Sequence, residues 1–133
     1  MLGNILAVAG GGALGATLRY LGSTGVTSLL GGIAWAAAIP LGTLAVNVLG
    51  CFVIGVLSPV LGSLVPARPQ LTLFLVTGML GGFTTMSTFS NETYTLWQGG
   101  QHLLAAGYAV GTLAVCLAAV ALGHLVAQAV LAR

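Results

Sequence analysis

A run of glycine and hydroxyl residues inside an apolar segment is the stretch whose residue types are best suited to chemistry. Residues 78–90 read G-M-L-G-G-F-T-T-M-S-T-F-S, so three glycines precede five hydroxyl side chains. Glycine weakens a helix by about 1 kcal/mol relative to alanine, and we therefore predict a helix break at residues 81–84. A break within a membrane frees backbone groups, which must then face protein, water or an ion. The alternative is a contact between helices, in which glycines allow close approach and hydroxyls form hydrogen bonds.

Two further apolar segments carry polar residues at helical spacing. Thr43 and Asn47 lie four residues apart, as do Tyr108 and Thr112, and Cys116 continues the second series. Residues at i and i+4 share one helix face, so each segment presents a polar stripe. Asn47 is interpreted either as a hydrogen bond between helices or as a donor that lines an ion path.

The titratable residues are few and scattered. Glu92 is the only acidic residue, and three interpretations stay open for it: a position at the membrane interface, an ion pair with Arg19, or the lining of a vestibule where both charges could act in gating. Because an enzyme needs its acids, bases, nucleophiles or metals in one positioned group, catalysis is not expected. Cys51 and Cys116 lie in apolar runs and are interpreted as small buried residues, not as a disulfide or metal ligands.

The composition predicts the elements that must position these residues. Of the 133 residues, 58% are hydrophobic and 3% are charged, whereas a soluble domain carries about 25% charged residues. The apolar runs are long and continuous, which indicates helices rather than the strands of a barrel. We therefore predict an all-α integral membrane protein that crosses the lipid bilayer of the cell membrane several times. A net charge of +2 is too small to indicate a nucleic-acid partner.

The length of the chain predicts four crossings. One crossing needs about 20 apolar residues, so four of them fill a single transmembrane domain, residues 1–133. The predicted spans are residues 2–21, 33–61, 70–97 and 103–131. The third is too long for one straight crossing, which agrees with a break at mid-membrane. Residues 22–32 are predicted as a connector that can be partly helical, and Pro59 is predicted to help end the second helix.

The arginines predict little preference for one orientation. Four spans place both termini on one side of the membrane, together with Arg68 and Arg133, and leave Arg19 on the other. A difference of one positive charge is a weak orientation signal. The chain is therefore a candidate for insertion both ways up and for pairing of two copies in opposite orientation.

The uncharged polar stripes suit passive permeation. The first span has no acidic residue, which argues against a small proton-coupled exporter that needs a carboxylate there. For an anion, the useful groups are the Asn47 amide, the hydroxyls, and the electropositive ring edges of Phe83 and Phe89. For a cation, the useful groups are the carbonyls freed at the break.

Three motifs resemble those of the fluoride channels of the Fluc (CrcB) family. The resemblance covers nearly the whole chain. The motifs are G-G-x-x-G-A-x-x-R-Y at residues 11–20, G-T-L-x-x-N-x-x-G at 42–50, and G-x-x-G-G-x-T-T-x-S-T-F-S-x-E-T at 78–93. The third motif is specific to the family and the other two support it.

The resemblance implies a function and an assembly. It implies a dual-topology, antiparallel homodimer of four-helix subunits, whose two pores passively export fluoride from the cytoplasm and so limit fluoride toxicity. It implies a structural Na⁺ at the dimer centre, held by the backbone carbonyls of Gly81 and Thr84. It also implies that the pore is lined by Asn47, by the aromatic positions of the third helix, and by a polar track. The matching track positions are Ser87, Thr88, Tyr108 and Thr112.

The sequence departs from the family pattern at three positions. The family usually has two phenylalanines at i and i+3 in the third helix, but here Met86 replaces the first and only Phe89 remains. Phe83 stands where a smaller aliphatic residue is common, and Cys116 replaces an expected hydroxyl. The alternative function is a non-conducting membrane subunit that packs in a larger complex, which would explain the glycines but not Asn47, the hydroxyl stripe and the break together.

Overall fold

The computed structural model describes residues 1–33, 38–64 and 69–132. Arg68 and Arg133, on which the charge count between the two sides of the membrane depends, lie outside the described residues, as does part of the predicted second span. Every regular element in the described ranges is a helix.

Five helices follow one another along the chain. Helix α1 comprises Leu2–Leu30 and α2 comprises Leu41–Leu64. Helix α3 begins with Pro69–Thr72, continues as a wider π-helix over Leu73–Leu80 and ends with Gly81–Phe83. Helix α4 is Met86–Gln98 and α5 is His102–Leu131. Within the described ranges, four helical segments are long and apolar enough to cross a membrane: Leu2–Leu30, Leu41–Ser63, Pro69–Gln98 and His102–Leu131. The chain is thus an all-helical, multi-pass membrane protein.

Two helices extend beyond their predicted ends. Helix α1 includes residues 22–30 of the predicted connector, because its hydroxyls bond within the helix: Thr24 Oγ1 donates to Tyr20 O at 2.6 Å and Thr27 Oγ1 to Ser23 O at 2.8 Å. Helix α2 continues past Pro59 to Leu64. A membrane helix tolerates proline where neighbouring helices pack against the backbone groups that it frees.

Glycines bring the helix backbones into contact. A Cβ atom at Gly15 of α1 would overlap the carbonyl of Met79 in α3, and one at Gly78 would lie 2.7 Å from Val8 O. Between α2 and α5, a Cβ at Gly55 would overlap the carbonyl of Val120. Small residues allow this close approach in membrane helices, and these contacts set how α3 lies beside α1 and how α5 lies beside α2.

The third span is interrupted after Phe83. Thr84 is extended, with φ −82° and ψ 152°, and Thr85 is extended, with φ −145° and ψ 109°, before α4 begins. The prediction placed the break at residues 81–84, but both glycines of that stretch are helical. Gly82 serves packing instead, since a Cβ there would lie 2.7 Å from Gly12 O of α1.

Candidate functional site

A groove runs between α2, the interrupted third span and α5. We call it the polar groove; its volume is about 660 Å³ and it is open to the surface. Its polar lining comes from the interruption and from one face of each neighbouring helix. The polar and sulfur-containing lining residues are Asn47, Thr84, Thr85, Thr112, Cys51, Cys116 and Met86. No charged residue is found among the described residues that line it.

Asn47 holds the interruption in place through two hydrogen bonds. Its Oδ1 accepts from Thr85 N at 2.8 Å, and its Nδ2 donates to Thr85 O at 3.2 Å. Asn47 is only 9% exposed. An extended residue inside a helical span leaves its backbone groups without helical partners, and here one side-chain amide satisfies both groups of Thr85. A primary amide has two N–H donors, so one donor remains for another partner.

Thr85 also begins the next helix. Its Oγ1 accepts from Thr88 N at 3.3 Å, which caps α4, and donates to Thr88 Oγ1 at 2.9 Å. Ser87 Oγ lies 3.3 Å from Thr85 Oγ1. The hydroxyl residues after the break therefore form one connected cluster.

The interruption leaves backbone carbonyls without their helical donors, and those of Gly81 and Thr84 are among them. In a continuous α-helix, the amide of residue i+4 donates to the carbonyl of residue i. The Thr85 amide, which would serve Gly81 in this way, donates to Asn47, and the Thr88 amide, which would serve Thr84, donates to the Thr85 side chain. Gly81 and Thr84 line the polar groove. These are the two residues whose carbonyls were predicted to hold a cation.

Glu92 is held by two hydroxyls from different helices. Its Oε1 accepts from Thr43 Oγ1 at 2.7 Å, and its Oε2 accepts from Tyr108 OH at 2.9 Å. Hydrogen bonds to a carboxylate are stronger than those between neutral groups, so this cluster ties α2, α4 and α5 together. Among the described residues, no hydrogen bond joins Glu92 to Arg19, which is half-buried in α1.

The carboxylate of Glu92 also faces a second, smaller cavity. This cavity has a volume of about 380 Å³, and its polar lining includes Thr27, Asn91 and Thr95 beside Glu92. The Phe89 ring packs on Tyr108, with centroids 5.4 Å apart and planes inclined by 46°. Phe89 thereby lies between the carboxylate cluster and the polar groove, which it also lines.

The polar stripes of α2 and α5 lie opposite each other in register. Thr43 meets Tyr108 through Glu92, and Asn47 and Thr112 line the same groove. The two residues of each pair are the same number of positions apart in the sequence, and the pair of Asn47 and Thr112 lies one helical turn from the pair of Thr43 and Tyr108. The Thr112 hydroxyl is buried and has no hydrogen-bond partner among the described residues. An unpartnered buried hydroxyl beside a cavity is a free donor for a ligand or an ion.

The structure separates the remaining predicted pore residues. Met86 lines the groove and is 72% exposed. Phe83 does not line it but lies in a cavity between α1, α2 and α3, where its ring faces Gly50. Ser87 and Thr88 are exposed on α4. The pore roles of all four residues stay predictions.

The two cysteines were interpreted from the sequence as small buried residues, but both are partly exposed and line the same cavity. Cys51 lies on α2 and Cys116 on α5, and the cavity is the polar groove. The signal that could have found this pair is the spacing, since each cysteine lies four residues after a groove residue, Asn47 or Thr112.

Comparison with known proteins identifies the family of this chain. The family model described as "CrcB-like protein, Camphor Resistance (CrcB)" matches residues 6–124. The chain belongs to the CrcB family. The resemblance inferred from the three motifs is therefore confirmed, and the region matched by the CrcB model contains the whole polar groove.

Several CrcB relatives carry the name "Fluoride-specific ion channel FluC". The protein from Ruminiclostridium cellulolyticum is 45% identical over 127 residues, which cover 96% of this chain and 94% of the relative. The protein from Paracoccus denitrificans is 44% identical over 127 residues, 96% of each chain. The protein from Chloroflexus aurantiacus is 43% identical over 123 residues, 92% of this chain and 93% of the relative.

Proposed function

We propose that this chain forms a fluoride-selective channel that passively exports fluoride across the cell membrane. The observation that carries the proposal is the polar groove, where uncharged polar side chains of α2 and α5 line an open, mostly apolar cavity between helices that are long enough to cross a membrane. Relatives that match almost the whole chain are named as fluoride-specific ion channels. Fluoride is small and strongly hydrated, so hydrogen-bond donors must replace its water as it passes.

The groove offers such donors at two successive turns. Asn47 has one amide N–H beyond the one given to Thr85, and the Thr112 hydroxyl lacks a partner among the described residues. The Phe89 ring adds an electropositive edge at the groove wall. Because none of these donors carries a charge, a small anion is stabilised without being held permanently.

Glu92 is proposed to control the approach to the groove. Its carboxylate faces the smaller cavity and is restrained by Thr43 and Tyr108, one turn from Asn47. A negative group at this point would repel anions if it turned freely toward the groove. The two hydroxyls keep its oxygens occupied, so an anion that passes meets a carboxylate already paired with donors. Arg19 is kept as a proposed vestibule residue.

The freed carbonyls support the proposal of a structural Na⁺. Carbonyls of an unwound segment are typical Na⁺ ligands in membrane proteins. The amides of Thr85 and Thr88, which would serve the carbonyls of Gly81 and Thr84 in a continuous helix, donate to side chains instead. The residues present therefore fit the ion, which would neutralise the carbonyl dipoles. Two carbonyls are fewer than a hard cation requires, so a second, antiparallel copy of the chain is proposed to supply the others.

The proposal is tested by measuring fluoride release from liposomes. Purified protein alone is reconstituted into liposomes loaded with potassium fluoride, and a potassium carrier balances the charge. A fluoride electrode should record fast release, whereas liposomes loaded with potassium chloride should release chloride no faster than empty ones. If folded protein releases no fluoride, the non-conducting subunit becomes the better explanation. Equal release of both anions would contradict selectivity.

A further inference from the structure

The polar groove contains a pair of thiols on facing helices. Cys51 continues the stripe of Thr43 and Asn47 on α2, and Cys116 continues the stripe of Tyr108 and Thr112 on α5. Each cysteine is two helical turns beyond the carboxylate cluster, a distance of about 12 Å along the helix. The two cysteines occupy matching positions on packed helices and line the same cavity.

The backbones hold this pair in position. One turn farther along, a Cβ atom at Gly55 of α2 would overlap the carbonyl of Val120 in α5, and one at Gly123 would overlap the carbonyl of Phe52. Helices that touch through their backbones cannot move apart without losing this packing. The separation of Cys51 and Cys116 is therefore set by the fold rather than by their own side chains.

We propose that Cys51 and Cys116 form a binding site for soft, thiophilic metal ions of the two-coordinate d¹⁰ class, with mercury(II) as the model ligand. Thiolate is the ligand type that soft metal ions select, and two thiols that face each other match a metal that takes two ligands. The described residues contain no group of three or more His, Cys, Asp or Glu side chains placed to hold a metal, so metals that need three or four such ligands are not favoured here.

The groove suits a metal supplied as a neutral complex. Mercury(II) chloride is linear and uncharged, and the lining around the thiols is apolar, from Ile54, Val76 and Leu113. The exchange balances as HgCl₂ plus two thiols giving a mercury dithiolate and two HCl. Two Hg–S bonds replace two Hg–Cl bonds, and the thiol protons and chlorides leave to water without any change of oxidation state.

Occupancy would close the groove one turn from Asn47 and Thr112. A bound metal ion bridges α2 and α5 across the cavity, on the line that the donors of those helices follow. The metal-dependent block of fluoride release rests on the proposed channel function, whereas metal binding does not. The two consequences are therefore measured separately.

Binding is tested on the purified wild-type protein in detergent. The protein is mixed with mercury(II) chloride and an equal concentration of glutathione, then desalted, and the retained mercury is measured by elemental analysis. One protein thiolate has no chelate advantage over glutathione, but a pair has. We expect one mercury per wild-type chain and, for Cys51→Ser or Cys116→Ser, an affinity reduced by at least ~10-fold, the least that loss of even an outer-shell partner usually costs.

A matched control uses the other sulfur in the groove. Met86→Leu removes the thioether and should still retain one mercury, because the thiols are unchanged. Size-exclusion chromatography of each variant checks that it remains folded. If each single-cysteine variant retains mercury as tightly as the wild type, the thiols act singly and the site is refuted. Equal retention by the double serine variant would place the metal elsewhere and refute it too.

The block is tested in liposomes by comparing each protein with itself before and after mercury. We expect the wild type to lose fluoride release and to recover it after addition of a small dithiol, while the double serine variant keeps its own starting rate. Block of the double variant to the same extent would overturn the proposed position in the groove. Absence of fluoride release from every protein would count against the channel function and leave the binding result standing.

Discussion

Asn47→Asp is the substitution that best separates a pore donor from a structural amide. The two side chains are nearly isosteric, and the oxygen that accepts from Thr85 N at 2.8 Å is kept. The other arm changes from an N–H₂ that donates to Thr85 O at 3.2 Å into an oxygen, so donation becomes repulsion between two acceptors. The free N–H that we assign to the passing anion is lost as well.

The expected loss of conduction follows from two contributions. A buried group left without its hydrogen-bond partner costs about 1–3 kcal/mol, which acts mainly on the stability of the interruption. An ionised aspartate also repels a fluoride ion about 4 Å away by about 4 kcal/mol at an effective dielectric constant of 20. Since about 1.4 kcal/mol corresponds to a factor of ten, we expect fluoride release to fall by roughly a thousandfold.

The assay is initial fluoride release from liposomes at matched protein density, with oligomeric state measured by size exclusion in the same preparation. Asn47→Ala is the control, because it removes the donor without adding a charge and should conduct better than Asn47→Asp if charge repulsion is the main effect. Release at the wild-type rate in Asn47→Asp would refute the role as an anion donor. Loss of release that tracks loss of folded dimer would assign Asn47 to structure alone.

Four further substitutions test other parts of the site. Phe89→Ala should reduce fluoride release steeply, since it removes the ring edge, whereas Met86→Leu keeps volume and apolarity and should be nearly neutral. Tyr108→Phe removes the hydroxyl that donates to Glu92 at 2.9 Å, and we expect about a tenfold slower release for a loss of about 1.4 kcal/mol. Gly81→Val should abolish dimer assembly or fluoride release, whereas the subunit itself should still fold. Folding is expected because the nearest atom beyond the adjoining residues lies 3.8 Å from a Cβ at residue 81.

Each of these expectations has a control and a contrary result. Equal losses in the phenylalanine and methionine variants would mean that packing sets the rate at this face. Tyr94→Phe is the control for the tyrosine, because Tyr94 is exposed and pairs only with Gln98 among the described residues. Gly15→Val is the control for the glycine, since its Cβ would overlap Met79 and should prevent folding of the subunit itself. Assembly and fluoride release at the wild-type level in Gly81→Val would refute the proposed cation site at the carbonyls of Gly81 and Thr84.

Hydropathy was sufficient to predict the four long helices, but not their ends. The apolar runs are long enough to cross a membrane, and each corresponds to one of the four candidate spans. Residues 22–32 were assigned to a connector that can be partly helical, because glycine, serine and threonine are common in loops. Within α1, those hydroxyls donate to carbonyls of the preceding turn, a local choice that composition does not reveal.

The register between helices could not be predicted from the sequence. Gly107 and Gly111 have the spacing typical of helix contacts, yet a Cβ at either would meet open space. Gly55 and Gly123 make the backbone contacts between α2 and α5. Which glycines touch a partner depends on how the whole bundle packs, and that packing decides that Glu92 meets two hydroxyls and that the thiols face each other.

The structure shows which backbone amides at the interruption already have hydrogen-bond partners, a point that the sequence left open. The break seemed to offer both amides for an anion and carbonyls for a cation. In the structure, the Thr85 amide is taken by the Asn47 side chain and the Thr88 amide by the Thr85 hydroxyl. Both amides are therefore already used, and the carbonyls of Gly81 and Thr84 have lost their helical donors.

This pattern of partners favours a cation and an anion being bound by different groups along the groove. Backbone acceptors at the interruption suit a cation, whereas the side-chain donors that we assign to an anion are the second N–H of Asn47 and the hydroxyl of Thr112. Asn47 belongs to both arrangements, because its oxygen removes an amide from competition while its nitrogen retains a free proton. A change at Asn47 should therefore disturb cation retention and anion passage together, whereas a change at Thr112 should affect anion passage alone.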